Sequence, residues 1–357
     1  MDLTKLGWDD HLDKIFSPLK DGGLAAGRVI IENRERYQIA TEIGECHAEV
    51  TGKFMFSADS AAEFPKVGDW VAVTLFDSEQ KAIIHDVLPR KTKFSRKVAG
   101  KTFEEQVIAA NLDVIFIVQS LDENYNLRRL ERYLVMVHEN RVAPVVVLNK
   151  TDVWPEFEER VTAVRNLMPE LTVVPVSAKT DFGIDALKDM ISEGMTFAFI
   201  GSSGVGKSSL INRLVGEEVL KTAEIRESDS RGRHTTTRRQ LIVLPTGGCL
   251  IDTPGMRELQ LWQAEEGMDE TFADIERLYA DCHFSDCTHT MEIKCAVLAA
   301  VASGELPDGR YQNYLKMRKE LAHLESTINK ESFLERKRKE KVLHREINRI
   351  MKTSKKK

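Results

Sequence analysis

The chain has 357 residues, of which 42% are hydrophobic and 30% charged, with a formal net charge of −5; that is too long for one comfortable core and too polar for a membrane protein, so two or three soluble domains are expected. It has no run of about 18 apolar residues, and its acidic start, MDLTKLGWDDHLDK, lacks the basic-then-apolar pattern of a secretory signal, which points to the cytoplasm. Charge is uneven: Tyr311 to Lys357 carries 15 Lys/Arg against 6 Glu, a net of +9 that leaves −14 on the other 310 residues, so the tail either meets a polyanionic partner or forms a solvated helix face.

Residues 1–24 read as a short helix and a turn. Alternating β-rich runs follow, GRVIIENRERYQIATEI, AEVTGKFMF, DWVAVTLF and KAIIHDVL, punctuated by Asn33, Gly44, Gly52 and the turn PKVGD. Strands at that spacing predict a small closed β-barrel. The segment RKTKFSRKVAGKTFEEQ then reads as a basic connector.

From Asn111 continuous apolar strands alternate with helical segments, the pattern of a buried parallel sheet. The strands are DVIFIVQS, APVVVLN, TVVPVSA, TFAFIG, RQLIVLP and GCLIDTP, and between the first two Leu127, Leu130, Leu134 and Val137 recur at helical spacing. Beyond Trp262 an acidic helical stretch leads to a Cys/His cluster and a basic helical tail.

GSSGVGKSS, made of Gly201, Ser202, Ser203, Gly204, Val205, Gly206, Lys207, Ser208 and Ser209, follows a strand and opens a helix. The glycines let successive backbone N–H groups point inward and, with the helix N-terminus, hold phosphate oxygens. Lys207 reaches the β- and γ-phosphates as a catalytic cation, and the Ser208 hydroxyl is placed for Mg²⁺.

Asn149, Lys150, Thr151 and Asp152 form NKTD at another strand end. The Asp152 carboxylate can accept both N1–H and N2–H₂ of guanine, which adenine cannot offer; a site built on such bonds discriminates by ~10⁴ or more. Asn149 would bond the base from its other edge and the Lys150 stem would cover the ring. Ser177, Ala178 and Lys179 end the next strand as an SAK element, whose backbone contacts the guanine carbonyl in GTPases.

Asp252-Thr253-Pro254-Gly255 closes the last strand; its carboxylate can hold Mg²⁺ through water, and the Gly255 N–H can bond the γ-phosphate. RGRHTTTRRQ lies before it, and Thr237 is expected to complete the Mg²⁺ shell; the competing reading of these threonines is a polar strand entry. Met256 stands where many GTPases place a water-orienting glutamine, so slow intrinsic hydrolysis is expected. His234 is the candidate replacement, or alternatively a surface histidine holding the loop.

The base-reading motifs precede the phosphate loop, and the DTPG element comes last. This rotation of the usual GTPase order is tolerable because chain ends lie at the surface. The chain leaving Gly255 runs straight towards the Cys/His region, so loss of the γ-phosphate is expected to pull on a separate domain.

Cys282, Cys287, His289 and Cys295 offer three thiolates and an imidazole within 14 residues. In a reducing compartment that clustering favours a closed tetrahedral Zn²⁺ site of structural type. Cys46 and Cys249 lie in predicted strands and read as small core residues.

Taken together, VGDWVAV, the permuted NKTD, SAK, GSSGVGKSS, RGRHTTT and DTPG series, and the C-x₄-C-x-H-x₅-C knot resemble the ribosome small-subunit-dependent GTPase A (RsgA) family over nearly the whole chain. The resemblance implies an OB-fold N-terminal domain, a central circularly permuted α/β P-loop GTPase domain and a C-terminal helical zinc domain. Boundaries are expected at 1–95, 105–262 and 263–325, with a basic tail over 326–357. It further implies GTP, Mg²⁺ and one structural Zn²⁺ per chain, and binding to the small ribosomal subunit and its RNA late in maturation, with hydrolysis stimulated by the subunit. A cytoplasmic monomer with no membrane partner is expected. The alternative is an RNA-binding scaffold in which GTP sets domain orientation and turnover is incidental. Arg90, Lys91, Lys93, Arg96 and Lys97 of the connector would support RNA binding, and Phe54, Phe56 and Trp70 would either stack on bases or fill the barrel core.

Overall fold

A computed structural model of the chain describes residues 1–33, 36–76, 80–97, 105–216, 239–252 and 264–327. It divides into two units by contact, one built from residues 1–98, 104–260 and 264–273, the other chiefly from residue 274 onward.

The first unit opens with helix α1 (Asp10–Asp21), whose first turn is capped by the Asp9 carboxylate accepting from the Leu12 N–H at 2.9 Å. Five strands follow: β1 (Ala25–Asn33), β2 (Arg36–Thr41), β3 (Gly44–Val50), β4 (Trp70–Phe76) and β5 (Lys81–Val87), with helix α2 (Gly52–Ser57) after β3. They pair in the order β1-β2-β3-β5-β4, and β4 returns to β1, so the barrel is closed. Inward positions alternate as period two requires: Val29, Tyr37, Ile39, Ala48, Val71, Val73 and Ile84 form its core together with Cys46.

One expectation for this region is corrected. The run GKFMF is helical, not β: Thr51 caps it by accepting from the Phe54 N–H at 3.1 Å, and Phe56 is 97% exposed. Trp70 is buried with Trp8 edge-on at 4.9 Å and Arg28 over its ring at 5.2 Å, so it is core and not a base platform. The basic connector is partly ordered by internal pairing. Residues β6 (Lys93–Lys97) and β7 (Glu105–Ala110) pair as an antiparallel ribbon. Arg90 donates to both oxygens of buried Asp69 at 2.8 Å, Lys91 meets Asp9, Lys93 meets Glu105, and Arg96 donates to Gln106 at 3.1 Å.

The remaining strands are β8 (Val114–Ser120), β9 (Ala143–Asn149), β10 (Thr172–Pro175), β11 (Thr196–Ile200), β12 (Arg239–Val243) and β13 (Cys249–Asp252). Their order, β10-β9-β8-β11-β13-β12, is parallel except for β12, which runs antiparallel to β13. The expectation of an all-parallel sheet is corrected here: residues 244–248 close a tight turn too short for a parallel crossover, so β12 and β13 form a hairpin. β12 also pairs antiparallel with β1, Ile31 opposite Gln240 and Glu32 opposite Arg239, so one sheet runs from the GTPase-like half into the barrel. Gly68 lies at that junction with φ +93, and a Cβ there would sit 2.2 Å from the Ala110 carbonyl oxygen.

Helices α3 (Leu127–Glu139), α4 (Phe157–Arg165), α5 (Ile184–Asp189) and α6 (Lys207–Val215) connect these strands. Leu130, Leu134 and Val137 of α3 are buried, as their spacing predicts. Phe116, Val147, Val176, Phe197, Leu210 and Leu250 lie in the core between sheet and helices, and Cys249 is buried in β13. Helix α7 (Glu265–Thr271) packs on α3 within the same unit, with the Gly267 N–H donating to the Glu139 carboxylate at 2.9 Å and His138 Nδ1 3.0 Å from the Thr271 hydroxyl.

The second unit contains α8 (Ala273–Tyr279), the Cys/His loop, α9 (Ala296–Ser303) and a further helix over residues 308–327, α10. Arg310 in α10 makes a two-pronged bond to Asp274 at 2.7 Å, and Tyr314 donates to Glu276 at 2.8 Å. No helix among the described residues is long and apolar enough to cross a membrane.

Candidate functional site

Three of the predicted elements end parallel strands, which is where open α/β sheets bind ligands. NKTD follows β9, SAK follows β10 and the phosphate loop joins β11 to α6. Because β9, β8 and β11 are neighbours in the sheet, residues distant in sequence meet at one edge.

The phosphate loop has the conformation its glycines suggest. Gly201, Gly204 and Gly206 have φ of +146, +77 and +95, a region other residues enter only at a cost. A Cβ on Gly206 would lie 2.2 Å from Asn149 Nδ2. Val205 is buried, while Ser202, Ser208 and Ser209 are half-buried. Gly206 precedes α6 without any side-chain cap, so the first-turn N–H groups remain for an anion.

Every carbonyl from Gly201 to Val205 is met by a side-chain donor. Lys207 Nζ donates to the Gly201 and Ser202 oxygens, each at 2.7 Å. Asn124 Nδ2 donates to the Ser203 oxygen at 3.1 Å, Lys150 Nζ to Gly204 at 2.7 Å and Asn149 Nδ2 to Val205 at 2.8 Å. A carbonyl and the next N–H share one rigid plane and point in opposite directions. Holding five successive carbonyls therefore fixes the orientation of the following N–H groups, the donors that a phosphate would use.

Asn149 is 2% exposed, and its other end accepts from the Ala178 N–H at 3.1 Å. One buried amide thus ties the NKTD turn to both the phosphate loop and the SAK turn, and a single Nδ2 proton is left for a base. Sequence reading assigned Asn149 to the base alone; its bracing role needed the fold. Lys150 has φ +69 and its ammonium also pairs with Asp122 at 2.8 Å, stretching the stem across the site. The Thr151 N–H donates to the Val176 carbonyl at 3.2 Å. Asp152 accepts from the Ser177 hydroxyl at 2.6 Å and lies 3.8 Å from Lys179 Nζ. Ser177 Oγ in turn accepts from the Lys179 and Thr180 N–H groups at 3.3 and 3.2 Å, and Arg213 donates to the Ala178 carbonyl at 3.0 Å.

Asp252 ends β13 beside β11. Burial raises its carboxyl above the ordinary range, and the nearby Lys207 charge offsets only part of that. At Asp122 burial also opposes the charge, but the Lys150 and Ser120 bonds outweigh it and hold the carboxyl below the usual range. His234, Thr237, Gly255 and Met256 lie outside the described residues. Asp122 and Asn124 were missed from sequence. Their only signal was position, as the first polar side chains beyond a buried strand next to the phosphate-loop strand.

In the second unit the ligand atoms of Cys282, Cys287, His289 and Cys295 lie within 4.8 Å of one another, and the last three residues are buried. Cys282 Sγ is 3.8 Å from Cys295 Sγ and 3.7 Å from His289 Nδ1, which is 3.5 Å from Cys295 Sγ. The edge of a tetrahedron with ~2.3 Å metal–sulfur bonds is about 3.8 Å, so the donor set fits one closed, four-coordinate thiophilic ion. Glu292 fixes the intervening loop by accepting from the Thr288, Thr290 and Met291 N–H groups at 2.8, 2.8 and 3.0 Å, and Tyr311 donates to the His289 carbonyl at 2.6 Å.

Comparison with known proteins agrees with this arrangement. The family described as RsgA GTPase matches residues 87–262. A protein of Lactiplantibacillus plantarum named small ribosomal subunit biogenesis GTPase RsgA 2 is 44% identical over 304 residues, 85% of each chain. The small ribosomal subunit biogenesis GTPase RsgA of Opitutus terrae is 42% identical over 332 residues, 90% of each chain. Among solved structures, YjeQ from Thermotoga maritima superposes with a TM-score of 0.63 at 28% identity, covering 84% of this chain and 99% of that one. Identities above 40% over most of both chains show common descent, and the chain belongs to the RsgA GTPase family.

Proposed function

We propose that this chain hydrolyses GTP to GDP and phosphate while bound to the small ribosomal subunit late in its maturation, and that the subunit stimulates turnover. The observation that supports this best is Asn149, whose buried amide joins the Val205 carbonyl and the Ala178 N–H. Phosphate and base elements are thereby held at one distance, as a guanosine nucleotide requires. The relatives' names supply the subunit.

In this reading Asp152, Ser177, Ala178 and Lys179 recognise guanine, Asn149 and Lys150 flank it, and the Gly201–Ser209 loop binds the phosphates. Lys207 moves from the loop carbonyls to the β- and γ-phosphates, exchanging two neutral acceptors for anionic ones. Ser208, Thr237 and, through water, Asp252 would hold Mg²⁺, which when bound neutralises charge on the phosphate oxygens. Gly255 meets the γ-phosphate, and His234 orients the attacking water in the place that Met256 cannot fill. Cys282, Cys287, His289 and Cys295 hold one Zn²⁺ with no open position, so its part is structural. The barrel and the basic 326–357 tail bind ribosomal RNA. The protein works as a cytoplasmic monomer, with domains over 1–95, 105–262 and 263–325.

GTP turnover titrated with purified small subunits at fixed ionic strength tests this. A rise of about tenfold or more is expected. An unchanged rate would favour the scaffold reading instead.

A further inference from the structure

We propose that Asn124 is a positioning residue of the nucleotide site and that it orients one specific peptide of the phosphate loop. The proposal rests on the reading of that loop as a phosphate site. Of the four side chains that hold the loop carbonyls, Asn149, Lys150 and Lys207 belong to the recognised motifs; Asn124 belongs to none.

Its Nδ2 donates to the Ser203 carbonyl at 3.1 Å and to the Ser202 hydroxyl at 3.2 Å. Its Oδ1 accepts from Arg129 Nη2 at 2.8 Å, which fixes the sense of the amide, because a guanidinium can only donate. The bond to Ser203 sets the plane that carries the Gly204 N–H. Little else constrains that plane: Gly204 is exposed, and a Cβ built on it meets nothing within 4 Å. The neighbouring planes are set by Lys207, Lys150 and Asn149, so loss of Asn124 frees the middle of the cradle and leaves both ends held.

The loop that carries Asn124 is fixed by the protein and not by a ligand. Gln119, 1% exposed, spans its base, donating to the Asn126 carbonyl and accepting from the Asn126 N–H, each at 3.1 Å. Asp122 accepts from the Asn124 N–H at 2.9 Å and the Ser120 hydroxyl at 2.6 Å, and its second oxygen pairs with Lys150. On the outer side the Arg160 guanidinium lies 4.6 Å from the Tyr125 ring and 3.8 Å from that of Trp154. A donor on so rigid a support pre-orients the Gly204 N–H before any nucleotide arrives, which lowers the ordering cost of binding.

The test compares GDP with guanosine, which carries the base but no phosphate, by calorimetric titration of the full chain. Asn124→Ala is expected to weaken GDP binding about fivefold to tenfold, the worth of one oriented hydrogen bond, with guanosine changed less than about twofold. Asn124→Asp keeps the shape, loses the donor and turns an oxygen toward the Ser203 carbonyl, so its GDP loss should be larger; it also serves if the alanine variant folds poorly. GDP affinity within about twofold of wild type in the Asp variant, or equal weakening of GDP and guanosine, overturns the proposal. Asp152→Asn in the same assay keeps the two readings apart. If it loses the preference for guanine while the Asn124 variants bind GDP normally, only this proposal fails; if it keeps that preference, the site reading itself fails.

Discussion

The phosphate loop and the Cys/His loop are both short irregular turns, but they are held in different ways. Five consecutive carbonyls of the first are bonded by side chains, two by Lys207 of the loop itself and three by Asn124, Asn149 and Lys150 from two other segments of the chain. The second is held mainly from within, by Glu292 and by ligand atoms turned toward a common centre, with Tyr311 as an outside anchor. A turn braced by protein donors can exist before its ligand binds. A turn whose inward groups are thiols and an imidazole awaits the ion that satisfies them. The contrast predicts a preformed nucleotide site in the first unit and a metal-dependent fold in the second.

The largest effect should come from breaking the metal side. Chelation, or Cys287→Ser, is expected to remove the cooperative folding of residues 274–327, because ligation free energy of ~10–16 kcal/mol exceeds what so small a core supplies. Hydrogen exchange should show protection lost there and kept in β8 and β11. Loss of protection in both regions alike would erase the contrast. A smaller effect is expected from Asn149→Ala, which removes a buried brace at two points and leaves the Ala178 N–H and the Val205 carbonyl unpaired. At ~1–3 kcal/mol, GDP affinity should fall about tenfold to a hundredfold by fluorescence titration.

The smallest effect concerns Asp252. Its folded carboxyl titrates above its ordinary value because of burial. The charged form therefore penalises folding above that raised value, and the penalty disappears as pH falls through it toward the unfolded value near 4. In nucleotide-free, Mg²⁺-free protein, Asp252→Asn should raise the melting temperature by roughly 2 °C at pH 7 and by nothing at pH 4. A gain that grows toward low pH would contradict the assigned direction.

How far the sequence could be read followed from how local each determinant is. The phosphate loop, NKTD, SAK and the Cys/His set are each contiguous or nearly so, and their spacing alone carries the chemistry. The barrel and the parallel strands were legible from periodicity. What escaped depends on partners distant in the chain. Arg90 looks like a free cation until Asp69, 21 residues away, is seen to hold it. Contact with Trp8 decides between the two readings of Trp70 in favour of core. The reversal of β12 escaped although its cause is local: residues 244–248 are too few for a parallel crossover to β13, so the two strands form a hairpin. GKFMF looked like strand because aromatics favour strands, yet the Thr51 cap makes it a helix. Asn124 and Asp122 match no pattern, and only the adjacency of β8 and β11 brings them to the phosphate loop.

The account stands most directly on Asp152, whose carboxylate is held by the Ser177 hydroxyl at the mouth of the braced site. Calorimetric titration of GDP, ADP and xanthosine diphosphate into wild type and Asp152→Asn measures base preference at constant phosphate. The expected result is a preference for GDP over ADP of about 10⁴ in wild type, largely lost in the variant, with xanthosine diphosphate, which presents a carbonyl where guanine has its 2-amino group, gaining affinity. An unaltered preference for GDP in the variant would mean that the base is read elsewhere and that these strand ends do not form one guanosine nucleotide site.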